Sequence, residues 1–491
     1  MDAREARTEY QKGRLSVDQL LDLLENQQRT IHRLQAELAR IKARLAQYEP
    51  EIQHETSPAG GSSEKVTQYS LQAEEKRRRH LKRKKRSPGR RKTCLKFADA
   101  ERGEEVYPEE GRRAECLLAR ERAVWRLENG RAVLVGYRVF RAPGGDEPPI
   151  PGVTPRCEYG IEILVVLAFL VYVIGVSLDK ACRILHFFCQ LPLGKSQADA
   201  LLRQLARHWE GEFDALCDLL AHAAVVHMDE TGWKIGKEGC SLWTFASELQ
   251  RVFLFGCHKD SATLDEMLPP GVFQGVGISD DAAVYRHRFV RAQKCWAHLL
   301  RKAIRLALLY PRKKSYQRFL DRLLELYYDA KRVAADGRLS DSGRQQRVTQ
   351  LENRLCELCQ TYLEKTPTEM KPHEQDFFNL LNELVERMLD EELFTFVLVP
   401  GVEPTNNLSE RLQRNPAQDR EAGRTSKTAA GAHRRSVIVS VLESLRANLE
   451  EFTLPSVLNE IHRWMADGIS LFRKQWEAQI GTSPVPAPDT G

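Results

Sequence analysis

The chain has 491 residues, too many for one core of ordinary size, so several domains are expected. Its 74 basic and 68 acidic residues leave a net charge of only +6, which excludes a uniformly polycationic protein and puts the weight on where the charge lies. The 11 cysteines are odd in number and scattered, which excludes a disulfide-built secreted scaffold, and the charged start MDAREARTEYQKGR lacks the apolar core of an export signal. A cytoplasmic protein with reduced thiols is expected.

In residues 17–45, Val17, Leu24, Ile31, Leu38 and Leu45 form one apolar row and Leu20, Leu34 and Ile41 a second, interrupted by Gln27. This heptad rhythm predicts a coiled coil within residues 1–50, able to pair protomers or to pack its stripe on its own chain. Residues 51–92 lose periodicity and carry EEKRRRHLKRKKRSPGRRK, with Arg77, Arg78, Lys82, Arg83 and Lys84 at its centre. Such like charge cannot fold on itself, so a disordered basic linker is expected; it can displace counterions from a phosphate backbone, and DNA is its natural partner.

Residues 93–155 read as a small β-containing domain. In it VWRLENGRAVLVGYRVFR alternates apolar and polar residues around Glu128-Asn129-Gly130 and predicts a hairpin. Residues 156–222 read as helical. IEILVVLAFLVYVIGVSL, residues 161–178, is long enough to cross a bilayer but stands alone, and a buried core helix without a membrane is expected. Beyond it, two helices about Leu191-Pro192-Leu193 predict either a DNA-binding helix-turn-helix or a plain helical hairpin.

AAVVHMD, CSLWTFAS, RVFLFGC, GVFQGVGIS and VRAQKCW are five β-rich runs in quick succession, followed by helices with charged faces. Asp229 ends the first run and Asp280 the fourth, places where open α/β sheets hold their sites. Glu410 falls in the first turn of a helix that Asn406 or Asn407 can cap. Three such carboxylates hold hard divalent cations and serve phosphoryl transfer, although spacing alone does not single out these three among 68 acids.

The words HMDETGW, ISDDAAVYRHRFVRAQKCWAHLLRK, PTNNLSERLQR and AGRTSKTAAGAHRRSVIVSVLESL, in this order, resemble the insertion-sequence-66 family of bacterial DDE transposases over about residues 159–445. The resemblance implies an α/β fold with an RNase H-like catalytic core interrupted by a large helical insertion, and a catalytic, metal-holding triad of Asp229, Asp280 and Glu410 with Mg2+ or Mn2+. It divides the chain into a first part of the core at 223–310, the insertion at 311–400, a helical C-terminal part at 401–480 and a disordered tail at 481–491. It selects Asp280 over Asp281, because Tyr285 lies five residues beyond Asp280, and leaves Asp281 as a cap of the next helix.

By the same resemblance Cys295, Trp296 and His298, with Asn406 and Asn407, support the site, and Arg301 contacts phosphate. Two ligands, Cys295 and His298, are too few for zinc. Cys356 and Cys359 are expected as packed thiols. The isolated Cys94, Cys116 and Cys157 depart from the paired cysteines common in the family's front end, so no zinc module is expected there. Arg411, Arg414, Arg420, Arg424, Lys427, Arg434 and Arg435 form the basic stretch that grips DNA. The function implied is cleavage at the ends of an insertion sequence and joining of the 3′-hydroxyl ends to target DNA, by a homo-oligomer with or without accessory proteins. An inactive DNA-binding relative and a metal-dependent nuclease that does not join are the alternatives.

Overall fold

The computed structural model describes residues 97–108, 113–363 and 370–481. The coiled coil at 1–50, the basic linker at 51–92 with Arg77, Arg78, Lys82, Arg83 and Lys84, and residues 482–491 of the tail lie outside the described residues.

The expected hairpin is present and longer than its sequence pattern. Strands β2 (Leu117–Glu128) and β3 (Arg131–Arg141) pair antiparallel, and β1 (Arg102–Val106) adds in parallel to the far side of β3. Asn129 and Gly130 both take positive φ, the backbone that a two-residue turn between right-twisted strands requires. Val124, Val135, Tyr137 and Val139 bury one face against Ile150 and Val153.

The apolar run 161–178 is buried through Ala168, as expected, but beyond it is only partly so, with Ile174 exposed, and it is not one helix. Helix α1 (Ile161–Ala168) loosens into a π turn over Phe169–Val173, the chain turns at Gly175 with positive φ, and Ser177 caps α2 (Leu178–Cys189). A side chain at Gly175 would also collide with the carboxylate of Asp419. Helix α1 is apolar all round because the core surrounds it. Its one charge, Glu162, is paired with Arg126 Nε at 2.7 Å and accepts from the Leu127 N–H at 3.1 Å, which ties the small sheet to the helices. No helix among the described residues is long and apolar enough to cross a membrane. Helix α2, a break with Gln190 in the left-handed region, and α3 (Lys195–His208) form the helix pair that both readings of this segment require. Helix α4 (Glu210–Ala221) then leads into the sheet.

The five β-runs form one mixed sheet: β4 (Val225–Ile235), β5 (Glu238–Ala246), β6 (Arg251–Cys257), β7 (Val276–Ser279) and β8 (Arg291–Lys294), with helix α5 (Ser261–Met267) between β6 and β7. Their order across the sheet is β6-β5-β4-β7-β8. The first three are an antiparallel meander, and β7 and β8 add in parallel on the other side of β4.

Beyond β8 comes the helical stretch α6 (Trp296–Leu309), α7 (Lys314–Ala335), α8 (Asp341–Leu363), α9 (Pro372–Leu389) and the short α10 (Thr395–Leu398), with its own core around Trp296, Phe319, Leu323 and Leu355. Cys359 is buried in that core, whereas Cys356 is exposed. Helices α11 (Asn407–Glu421), α12 (Ala429–Asn448), α13 (Leu454–Asp467) and α14 (Leu471–Ile480) complete the described fold.

Helix α12 closes the open edge of the sheet. The hydroxyls of Ser436, Ser440 and Ser444 accept from the backbone N–H groups of Phe255, Phe253 and Arg251, each at 2.9 Å. Four residues of helix advance about 6 Å and two residues of strand about 6.6 Å, so serines four apart meet the outward amides of an antiparallel edge strand in step. An edge that would otherwise present unpaired donors is thereby satisfied.

Candidate active site

The sheet register brings Asp229 and Asp280 together. Strand β4 pairs with β7 only as far as His227 and Ile278, and each acid lies two residues beyond that last pair. Asp229 is not at a strand end as expected, because β4 runs on to Ile235 while paired with β5. It lies where the parallel neighbour stops, which opens the same kind of crevice. Asp280 follows β7 directly, and its Oδ1 accepts from the Ala282 N–H at 3.0 Å.

Asp281 corrects the expectation of a helix cap. It pairs with Arg387 Nε at 3.1 Å and with Arg286 Nη2 at 3.5 Å. Arg387 comes from α9, is buried, and also holds Asp390 at 2.8 Å and Glu392 at 3.0 Å. The helical stretch therefore grips the loop that carries Asp280. From β8, buried Lys294 adds an Nζ contact to the Asp280 carbonyl at 3.3 Å.

Glu410 is in the first turn of α11, as expected. Asn406 stands at the N-cap position, but its side chain makes no cap; instead Nδ2 donates to the Met228 carbonyl at 2.6 Å, one residue before Asp229. Its backbone N–H meets Cys295 Sγ at 3.1 Å. Asn406, fully buried, thus joins α11, β4 and the β8–α6 junction, whereas Asn407 is exposed as the first residue of the helix. Trp296 anchors the same junction, with Nε1 donating to the Leu393 carbonyl at 2.7 Å. Arg301 Nη2 bonds both oxygens of Glu410, at 2.8 and 3.1 Å, and His298 Nδ1 lies 3.7 Å from Oε1. Arg301 therefore meets a carboxylate of the predicted trio, a partner its sequence position does not suggest.

Three further participants, Glu230, Tyr285 and Lys259, have roles that the sequence does not assign. Glu230, buried beside Asp229, accepts from the Tyr285 hydroxyl and pairs with Lys259. Along the chain Tyr285 stands out only for its spacing from Asp280, and nothing in the order of residues signals Lys259. Burial first, then the charges of Asp280, Glu230 and Glu410, pushes the Asp229 carboxyl up to about 7. Arg301 and Lys259 answer Glu410 and Glu230, but among the described residues neither Asp229 nor Asp280 has a salt-bridge partner.

The basic stretch divides in two. Arg411, Arg414, Arg424 and Lys427 are exposed. Arg420 donates to Thr231 Oγ1 and the Gly232 carbonyl, both at 2.8 Å; Arg434 holds Asp199 at 2.8 Å; Arg435 is buried on Asp419. These last three carry contacts within the scaffold, and Arg424 Nε lies 3.6 Å from Asp419 Oδ1.

This is a mixed α/β protein whose central sheet sets Asp229 beside Asp280 where its parallel strand pair ends. Residues 156–434, more than half of the chain, match the family model described as Transposase IS66 family, and the chain belongs to that family. A search among curated proteins found no match.

Proposed function

We propose that the chain is a DNA transposase of the DDE type, in which Asp229, Asp280 and Glu410 hold divalent cations and serve both cleavage at element ends and joining of the freed 3′-hydroxyl to target DNA. The observation that carries this reading is the Asp229–Asp280 pair: two carboxylates set side by side by strand register, where burial and then the neighbouring charges push Asp229 up to about 7, and neither has a salt-bridge partner among the described residues. An all-oxygen donor set short of positive charge fits a hard cation such as Mg2+ or Mn2+. The strand order, a three-stranded meander extended by two parallel strands, supports an RNase H-like core, with α6 to α10 as its insertion.

Bound there, such ions supply Lewis-acid activation of a water or hydroxyl and neutralise charge on the departing oxygen. The chain's own groups hold the site in shape. Tyr285 and Lys259 fix Glu230 on β4, Asn406 fixes the strand at Met228, and Arg387 and Lys294 fix the loop of Asp280. Arg301 orients Glu410 and stands where phosphate would pass, with Arg411, Arg414 and Arg424 on the same C-terminal run to receive the DNA backbone. The linker around Arg77, Arg78, Lys82, Arg83 and Lys84 adds sequence-blind affinity, and the N-terminal heptads pair protomers so that two DNA ends are held together.

The deciding experiment incubates the purified protein with labelled DNA carrying the flanking ends of its encoding locus, with Mg2+, with Mn2+ and with chelator. Joined products that need the metal establish the transposase; cleavage without joining assigns a nuclease, and binding without any product assigns an inactive relative.

A further inference from the structure

Cys295, His298 and Glu410 are drawn from distant parts of the chain and are adjacent in the fold. Cys295 closes β8, His298 is in the first turn of α6, and Glu410 is in the first turn of α11. Their ligand-capable atoms lie within 4.8 Å of one another, the one such group of three found among the described residues. Sequence spacing supplies two ligands, too few for a metal; the docking of α11 against the β8–α6 junction supplies the third.

The group is held in position. Cys295 is 1% exposed, and its sulfur is met by the Asn406 N–H at 3.1 Å. His298 Nδ1 is buried, has no hydrogen-bond partner among the described residues, and faces Glu410 Oε1 at 3.7 Å. Two nitrogen or oxygen ligands of a tetrahedral zinc ion stand about 3.3 Å apart, so a shift of a few tenths of an ångström brings this pair into range. Arg301 Nη2 bonds both Glu410 oxygens, so a cation bound here would share the carboxylate with that guanidinium. Asp229 and Asp280 offer oxygen alone, whereas this group offers sulfur, nitrogen and oxygen, the donor set of a borderline-soft cation.

We propose that Cys295 Sγ, His298 Nδ1 and the Glu410 carboxylate form a three-ligand site for Zn2+ or a similar cation, with its fourth position open to water, distinct from the oxygen site of Asp229 and Asp280. The thiol releases its proton to solvent on binding. Because Glu410 belongs to both sets, Zn2+ in this site withdraws it from Asp229 and Asp280 and inhibits cleavage. That consequence rests on the proposed role of Glu410; the binding itself does not.

The test titrates the full-length protein with Co2+ as a spectroscopic substitute for Zn2+. One equivalent is expected to produce a near-ultraviolet thiolate-to-Co2+ absorption that Zn2+ displaces and excess Mg2+ does not. Cys295→Ser removes the band, His298→Gln weakens binding by about 10- to 100-fold, and Cys356→Ser, which changes an exposed thiol elsewhere, leaves it in place. Absence of a thiolate band in the wild-type protein, or a band unchanged in Cys295→Ser, overturns the site. In the cleavage assay, Zn2+ added over Mg2+ should inhibit the wild-type protein and should inhibit Cys295→Ser less, relative to that variant's own rate. A band accompanied by cleavage indifferent to Zn2+ overturns the inhibitory half alone. A protein that does not cleave at all leaves the spectroscopic result to decide the site, separately from the transposase reading.

Discussion

Asp229 concentrates the chemistry at the residue scale, because one strand position places it next to Asp280 and beside Glu230. Asp229→Ala, Asp280→Ala and Glu410→Ala are each expected to reduce cleavage by at least about a thousandfold while DNA binding persists, measured by gel assay and by equilibrium binding on the same DNA. Full cleavage by all three would remove the assignment. Tyr285→Phe deletes the hydroxyl that holds Glu230 and is expected to lower cleavage about 10- to 100-fold, the usual cost of losing a group that orients a metal-binding carboxylate cluster; an unchanged rate would make Tyr285 a packing residue. His227, two residues before Asp229, titrates differently. Burial first, and then the charges of Arg251 and Arg411, pushes its imidazole down to about 4 against an unfolded value near 6.5. The folded state resists a proton that the unfolded state accepts, so this residue's contribution to stability is full above pH 6.5 and is lost, by about 3 kcal/mol, as pH falls toward 4. Denaturant melts across that window should show a shallower loss in His227→Phe.

Helix α12 is the clearest case at the scale of the element. SVIVSVLESL invites an ordinary apolar reading, yet its serines recur every four residues and face the backbone of β6. Ser440→Ala leaves the buried Phe253 N–H without its acceptor and is expected to destabilise the fold by about 1–3 kcal/mol. Ser440→Thr keeps the hydroxyl and should lose less; equal losses in urea melts would show that packing, not the hydrogen bond, sets the cost. Helix α9 has a comparable role toward the site through Arg387, whose four acidic neighbours, Asp281, Glu386, Asp390 and Glu392, make a buried guanidinium tolerable.

For the whole molecule, the charge distribution predicts two separable contributions to DNA affinity. Neutralising the basic residues between Lys76 and Lys92 is expected to weaken binding to all sequences alike and to flatten its dependence on salt, by about one unit of slope for each phosphate that the protein no longer neutralises. Binding titrations at several salt concentrations check this, and a variant with an unaltered slope would return the run to the role of a linker. Changes at Arg411, Arg414 and Arg424, which stay exposed on the C-terminal run, belong with the site and should lower cleavage more than bulk affinity.

The sequence by itself determined the local elements: the Asn129-Gly130 hairpin, the five β-runs in order, the helical stretch after them and a helix opening just before Glu410, because turn chemistry and apolar period are properties of neighbouring residues. It also marked Asp229, Asp280 and Glu410 by their motifs, though not the register that sets Asp229 beside Asp280. Only the tertiary structure decided that Asp229 sits mid-strand beside Asp280, that Asp281 is held by Arg387, that Arg301 pairs with Glu410, and that Arg420, Arg434 and Arg435 serve the scaffold. Those outcomes depend on strand register and helix docking between segments far apart along the chain, where burial and charge pairing choose partners that no local spacing encodes.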